Sequence, residues 1–116
     1  MASTKVKDFS KVSDQQLELI AQCFQALSDP TRLKMLKELK AGEKSVQELV
    51  EMFGCSQPNI SRHLSILTAS GLVKKEKRGS YVLYSVANPG IFQLCDHVCS
   101  HVQGVIQRFS AKSTTD

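Results

Sequence analysis

The spacing of apolar residues changes at Gly71, and this change constrains the fold more than any other feature. Before Gly71, apolar residues recur every three or four positions, which predicts amphipathic helices. After it, "LVKKE" and "YVLYSV" are rich in β-branched and aromatic residues, and "KRGS" between them is typical of a turn. We therefore expect a mainly α fold with a two-stranded β-hairpin, which must pack against the helices because isolated hairpins are only marginally stable.

Residues that favour helix N-termini predict where the helices begin. Five starts follow from them: Ser13, Asp29, Ser45, Ser56 and Asn88. Gln or Glu lies three residues after Ser13 and Ser45, which is the spacing of a capping box. The last helix is expected to run to about Ser110. We expect one domain over residues 13–110, a flexible arm over 1–12 and a flexible tail over 111–116.

The third and fourth predicted helices, joined by a short turn at Gly54, fit a helix-turn-helix. If Ile60 points inward, the opposite face of the fourth helix carries small polar residues and Arg62, which suits close approach to a major groove. A solvated surface helix would look similar, but the basic hairpin beside it can neutralise phosphates. The predicted DNA-binding residues are Ser56, Gln57, Pro58, Asn59, Ser61, Arg62, His63, Ser65, Lys74, Lys75, Lys77 and Arg78.

Composition and motifs exclude several classes of protein. A net charge of +4 and a pI near 9.0 are compatible with nucleic acid but do not establish it. No apolar run approaches the roughly 18 residues of a membrane span, and "MASTKVKDFS" lacks the apolar core of a signal peptide, so we expect a cytoplasmic location and no membrane partner. A thiol oxidoreductase is disfavoured, because C-x-x-C, a Gly-rich phosphate loop and βαβ order are all missing.

Three segments carry a resemblance to a known family. They are "ALSDPTRLKMLKEL", "SVQELVEMFGCSQPNISRHLSILTASGLV" and "KRGSYVLYSV", and together they resemble the ArsR/SmtB family of winged-helix repressors over roughly residues 17–110. The resemblance implies a winged helix-turn-helix that dimerises through its first and last helices, and it implies no enzyme activity. It also implies binding to double-stranded palindromic operator DNA, with release by a metal ion or thiol-reactive inducer. By the same resemblance, DNA would face Gln57, Pro58, Ser61 and Arg62.

The two metal sites that the resemblance implies are largely missing. The family's "C-V-C" motif is replaced by "KSVQELV", which contains no cysteine. On the last helix, Asn88, Gly90 and Gly104 stand where three of the four ligands of the second site would lie, and only His101 matches. The usual zinc site is therefore not expected, and no cofactor is obligatory.

Four residues of "LCDHVCSH" form two pairs on the last helix. Cys95 and Cys99 lie on or beside its apolar stripe, whereas His97 and His101 are offset by about 200° and face the polar side. The cysteines form either a dithiol for As(III), Cd(II), an oxidant or a reactive sulfur species, or ordinary packing in a dimer interface. A third ligand could be Cys23, because the first and last helices meet in the family.

Three further alternatives remain open at this point. The two dithiols of a dimer could instead meet across the twofold axis, which would leave Cys23 outside the site. Cys55, in the turn before the fourth helix, is either a space-filling turn residue or a reactive thiol. The chain could also be a winged-helix DNA-binding regulator without metal or thiol sensing, in which all of its cysteines are structural.

Overall fold

A computed structural model describes residues 8–114, and the side chains of residues 8–110. The elements, in chain order, are a 3₁₀ helix Phe9–Lys11, α1 Asp14–Leu27, α2 Pro30–Ala41, β1 Lys44–Ser45, α3 Val46–Phe53, α4 Gln57–Ala69, β2 Val73–Arg78, β3 Tyr81–Val86 and α5 Ile91–Thr114. The predicted helices and hairpin are confirmed. The last helix begins two residues after Pro89 and ends four residues beyond Ser110.

Side-chain caps explain why the helices begin where the sequence predicts. The Ser13 hydroxyl accepts from the backbone of Gln16, whose side chain accepts in return from the Ser13 backbone. Ser45 and Glu48 make the same reciprocal pair at the start of α3, at 2.9 and 3.1 Å. Each cap satisfies backbone donors that the helix itself leaves free, a contribution of about 1 kcal/mol.

The sheet has three antiparallel strands in the order β1-β3-β2, so the expected two-stranded hairpin is extended by one short strand. The predicted hairpin pairs Val73 with Val86 at its base and Arg78 with Tyr81 at its tip. The additional strand, β1, has only two residues and pairs with β3. Two residues are too few to show alternation, so the sequence gives no sign of this strand.

The hydrophobic core lies between the end of α1, α2, α3, α4 and the base of the hairpin. The inward orientation taken for Ile60 is confirmed, because Ile60 is completely buried together with Leu64 and Leu67 on the same face of α4. The buried residues that form this core are Ala26, Met35, Leu36, Leu39, Leu49, Ile60, Leu64, Leu67, Leu72 and Val73. The core therefore fixes the inner face of α4 and leaves its opposite face exposed.

α5 joins this body mainly through its first turn. Ile91 and Phe92 pack against the core, and the Lys40 ammonium lies 5.2 Å from the centre of the Phe92 ring. The radius of gyration is 17.5 Å, whereas a compact domain of this length has about 13 Å. The 24-residue α5 therefore extends away from the body. Among the helices of residues 8–114, none is long and apolar enough to cross a membrane.

Candidate nucleic-acid interface

The α3–α4 turn exposes the N-terminus of α4. Gly54 adopts the left-handed conformation (φ 66°) that ends α3, which favours glycine because it has no Cβ. Its N–H donates to Val50 at 2.9 Å, and Ser56 then caps α4 by accepting from the Asn59 backbone at 3.3 Å. Pro58 lies in the first turn of α4, where its missing N–H costs nothing. The local sequence therefore gives a short turn followed by a rigid, solvent-facing helix start.

The outer face of α4 is polar. Ser56, Gln57, Pro58, Arg62 and Ser65 are exposed, whereas Asn59 and Ser61 are half-buried. The Arg62 guanidinium donates to the Asn59 side-chain oxygen at 2.9 Å, which holds it towards the N-terminal end of the helix. A helix that enters a major groove reads bases mainly with this end.

His63 does not belong to this face. This residue is only 5% exposed, and its Nδ1 accepts from the Arg32 guanidinium at 3.2 Å. This corrects the prediction that His63 binds DNA. Burial lowers the pKa of His63, and Arg62 and Arg32 lower it further, while the Asp29 carboxylate, 3.9 Å away, opposes them. Its ring is neutral in this arrangement, because a guanidinium can only donate.

Arg32, on α2, makes hydrogen bonds to both α1 and α4. Its Nε donates to Ala26 at 2.7 Å and an Nη donates to Gln25 at 3.2 Å, both at carbonyls near the end of α1. Asp29 accepts from the Arg32 backbone as the cap of α2, and this hydrogen bond lowers the pKa of its carboxyl. The sequence pattern "DPTR" indicated only the start of a helix. It gave no sign of the contact between Arg32 and His63, which lie 31 residues apart.

The hairpin carries its basic residues on two faces. Because strand side chains alternate, Lys75 and Lys77 lie on one face, and Lys74 and Arg78 lie on the other. All four are exposed. Arg78 differs from the lysines because Glu43 and Glu76 contact its guanidinium, and both carboxylates raise its pKa above the ordinary value.

The cysteines are free thiols at separate places in the fold. Cys95 is half-buried and Cys99 is exposed, both on α5. The Cys23 thiol lies 3.6 Å from the Ser70 carbonyl at the end of α4, and the Cys55 thiol lies 3.8 Å from the Phe53 carbonyl in the turn. Within residues 8–114, no three His, Cys, Asp or Glu side chains come together as a metal site. One chain therefore does not bring Cys23 to Cys95 and Cys99.

Comparison with known proteins places the chain among bacterial regulators. Residues 29–75 match the model of the family described as "Bacterial regulatory protein, arsR family". A probable mercury resistance operon repressor of Streptomyces lividans is 45% identical over 64% of this chain and 59% of its own length. The transcriptional repressor SdpR of Bacillus subtilis is 40% identical over 54% of this chain and 70% of its own length.

The fold agrees with this relationship. The crystal structure of Rv0081 from Mycobacterium tuberculosis superposes with a TM-score of 0.73 and 29% identity, covering 83% of this chain and 97% of that one. The capped α4, the short turn before it and the β2–β3 hairpin together form a winged helix-turn-helix. The chain therefore belongs to the ArsR family of bacterial regulatory proteins, whose members are DNA-binding transcriptional regulators and not enzymes.

Proposed function

We propose that this chain represses transcription by binding operator DNA as a homodimer, with α4 in the major groove and the β2–β3 hairpin, the wing, against the phosphates. The observation that carries this proposal is the exposed, polar N-terminal half of α4, in a helix that itself contacts the basic strand β2. Polar side chains and an oriented Arg62 can contact base edges, and the wing lysines can neutralise phosphate charge.

Uncovered apolar residues on α1 and α5 support the homodimer. Leu17 and Phe24 are largely exposed on α1. On α5, side chains spaced three or four residues apart are also exposed: Val98, Val102, Ile106 and Phe109. Exposed apolar side chains that recur along one helix are typical of an interface, and α5 packs against its own body through Ile91 and Phe92 in its first turn. A second copy would cover both helices and hold two α4 helices one DNA turn, about 34–36 Å, apart.

The dithiol Cys95–Cys99 lies beside this same surface and supports a thiol-directed inducer. Residues four apart on a helix have Cβ atoms about 5–6 Å apart, so two thiolates can bind one soft ion. The Streptomyces lividans relative is named for mercury resistance, and mercury is also thiophilic. With arsenite, each As–S bond forms as one arsenic hydroxide leaves with the thiol proton as water. Such ligation would shift α5 and change the spacing of the two α4 helices.

For As(III), a third thiolate ligand would come from the second copy, because one chain supplies only two thiols here. The contact of Cys23 with Ser70 favours the arrangement in which two dithiols meet across the twofold axis. The contact of Cys23 with Ser70 is equally compatible with the competing candidate, a DNA-binding regulator whose cysteines are structural and bind no inducer.

A titration separates these two candidates. A DNA duplex is first selected from a random pool for binding to the purified chain, and it is called the selected duplex below. The complex of this duplex with the chain is then titrated with arsenite or Hg(II). We expect release from the wild type and retention by Cys95→Ser/Cys99→Ser, with Cys55→Ser behaving as the wild type. If the double variant still releases DNA, the dithiol is not the inducer site.

A further inference from the structure

The wing arginine differs from the wing lysines in its contacts. One Nη of Arg78 donates to Glu43, and the other donates to Glu76 at 3.3 Å. The described contacts of Lys74, Lys75 and Lys77 include no carboxylate. Arg78 is thus the basic residue of the wing whose charge is already engaged in the free protein.

The two carboxylates hold the guanidinium back from the tip of the wing. Arg78 is the last residue of β2, directly before the turn, whereas Glu76 lies two residues nearer the body. Glu43 directly precedes β1, on the far side of β3 from β2. Register places Glu43 still further from the tip, because the following residue, Lys44, pairs with Tyr84. The Arg78 side chain therefore runs towards the body of the protein.

This arrangement changes what Arg78 can contribute to DNA binding. Two negative charges surround one positive charge, so the group as a whole repels a phosphate. The three side chains remain accessible, at 53% for Arg78, 35% for Glu43 and 52% for Glu76. Ion pairs at such exposure are weak and are screened by salt, so a DNA phosphate can replace a carboxylate at the guanidinium.

We propose that Glu43 restrains Arg78, so that the wing gains its full phosphate contact only when DNA displaces this carboxylate. Glu43 then lowers the affinity for every DNA sequence and thereby limits binding outside the operator. This inference rests on the proposed contact between the wing and DNA. Glu43 acts through Arg78 and does not itself touch DNA.

The test measures binding of the full-length chain to the selected duplex and to an unrelated duplex of equal length, over a series of salt concentrations. We expect Glu43→Gln to raise the affinity for both duplexes about two- to fivefold, the range for releasing an exposed ion pair. The slope of log K against log salt should steepen by about 0.9, the value for one additional phosphate contact. A loss of stability alone would not steepen this slope.

The Arg78→Gln background separates release of Arg78 from simple removal of a negative charge. There, Glu43→Gln should no longer steepen the slope. Glu51→Gln, at an exposed glutamate of α3, is the matched charge control and should leave the slope unchanged. The inference is overturned if Glu43→Gln weakens binding, leaves the slope unchanged, or steepens it equally without Arg78.

Lys77→Ala separates this inference from the proposed function. If the wing contacts phosphates, Lys77→Ala flattens the slope by about one contact. A flattened slope together with no response to Glu43→Gln overturns the inference alone. An unchanged slope in Lys77→Ala overturns the proposed contact between wing and DNA, and the inference with it.

Discussion

At the scale of single residues, the contacts of His63 make stability depend on pH. Burial lowers the pKa of its ring below the ordinary value of 6.5, so folding favours the neutral form. The unfolded chain then binds more protons than the folded one as the pH falls. The stabilisation is complete above about pH 6.5 and is lost as the pH falls from there towards the folded-state pKa.

Urea unfolding at a series of pH values and fixed protein concentration measures this effect. We expect the wild-type free energy of unfolding to fall as the pH drops below about 6.5. His63→Gln, which keeps an acceptor for Arg32, should show a flatter dependence in this range. His97→Gln, at an exposed histidine of α5, should follow the wild type. Equal pH dependence in all three proteins would contradict the buried, neutral His63.

Arg62 provides a second prediction at this scale. If its guanidinium reads a base, Arg62→Ala should lower the preference for the selected duplex over unrelated DNA by about 1–3 kcal/mol. Asn59→Ala, which removes the group that orients Arg62, should lower it by a smaller amount. Competition binding measures both preferences. An equal loss on both duplexes would instead assign Arg62 to a phosphate.

At the scale of elements, we expect each helix cap to contribute to the free energy of unfolding. Ser45→Ala removes the capping box of α3 and should cost about 1 kcal/mol of unfolding free energy. Ser65→Ala, at an exposed position inside α4, removes no cap and should be neutral or slightly stabilising, because alanine favours helix interiors. Denaturant unfolding compares the two variants. Equal costs would mean that the cap does not stabilise α3.

Elements fixed by local chemistry were predictable from the sequence, and contacts between distant residues were not. Helix caps act over three residues, so Ser13, Ser45 and Ser56 marked the helix starts correctly. The pairing of β1 and the contact of Arg78 with Glu43 join residues far apart in the chain. No local pattern encodes these contacts, because they depend on how the elements pack.

The same distinction applies within the candidate site. The exposed face of α4 followed from helical periodicity and the buried position of Ile60. His63 was placed wrongly because a polar residue can be buried when a distant partner, here Arg32, satisfies it. The separation of Cys23 from Cys95 depends on the packing of α1, which composition and spacing do not determine.

At the scale of the whole molecule, the uncovered apolar residues of α1 and α5 predict that two chains associate into a dimer. Val102→Glu would place a charge in the proposed interface and should weaken association by about 3 kcal/mol or more. Gln103→Glu adds the same charge at the neighbouring, exposed position and should leave association unchanged. Sedimentation equilibrium compares them. Equal association of the two variants would place the interface elsewhere.

Selection of binding sites from a random duplex pool tests the central claim most directly, because it requires DNA binding, base reading and dimerisation together. The account predicts enrichment of two inverted half-sites whose centres lie one helical turn apart, about 10–10.5 base pairs, or a multiple of it. A pool without enrichment, or one enriched in a single half-site or a direct repeat, would contradict a twofold-symmetric repressor that reads DNA with α4.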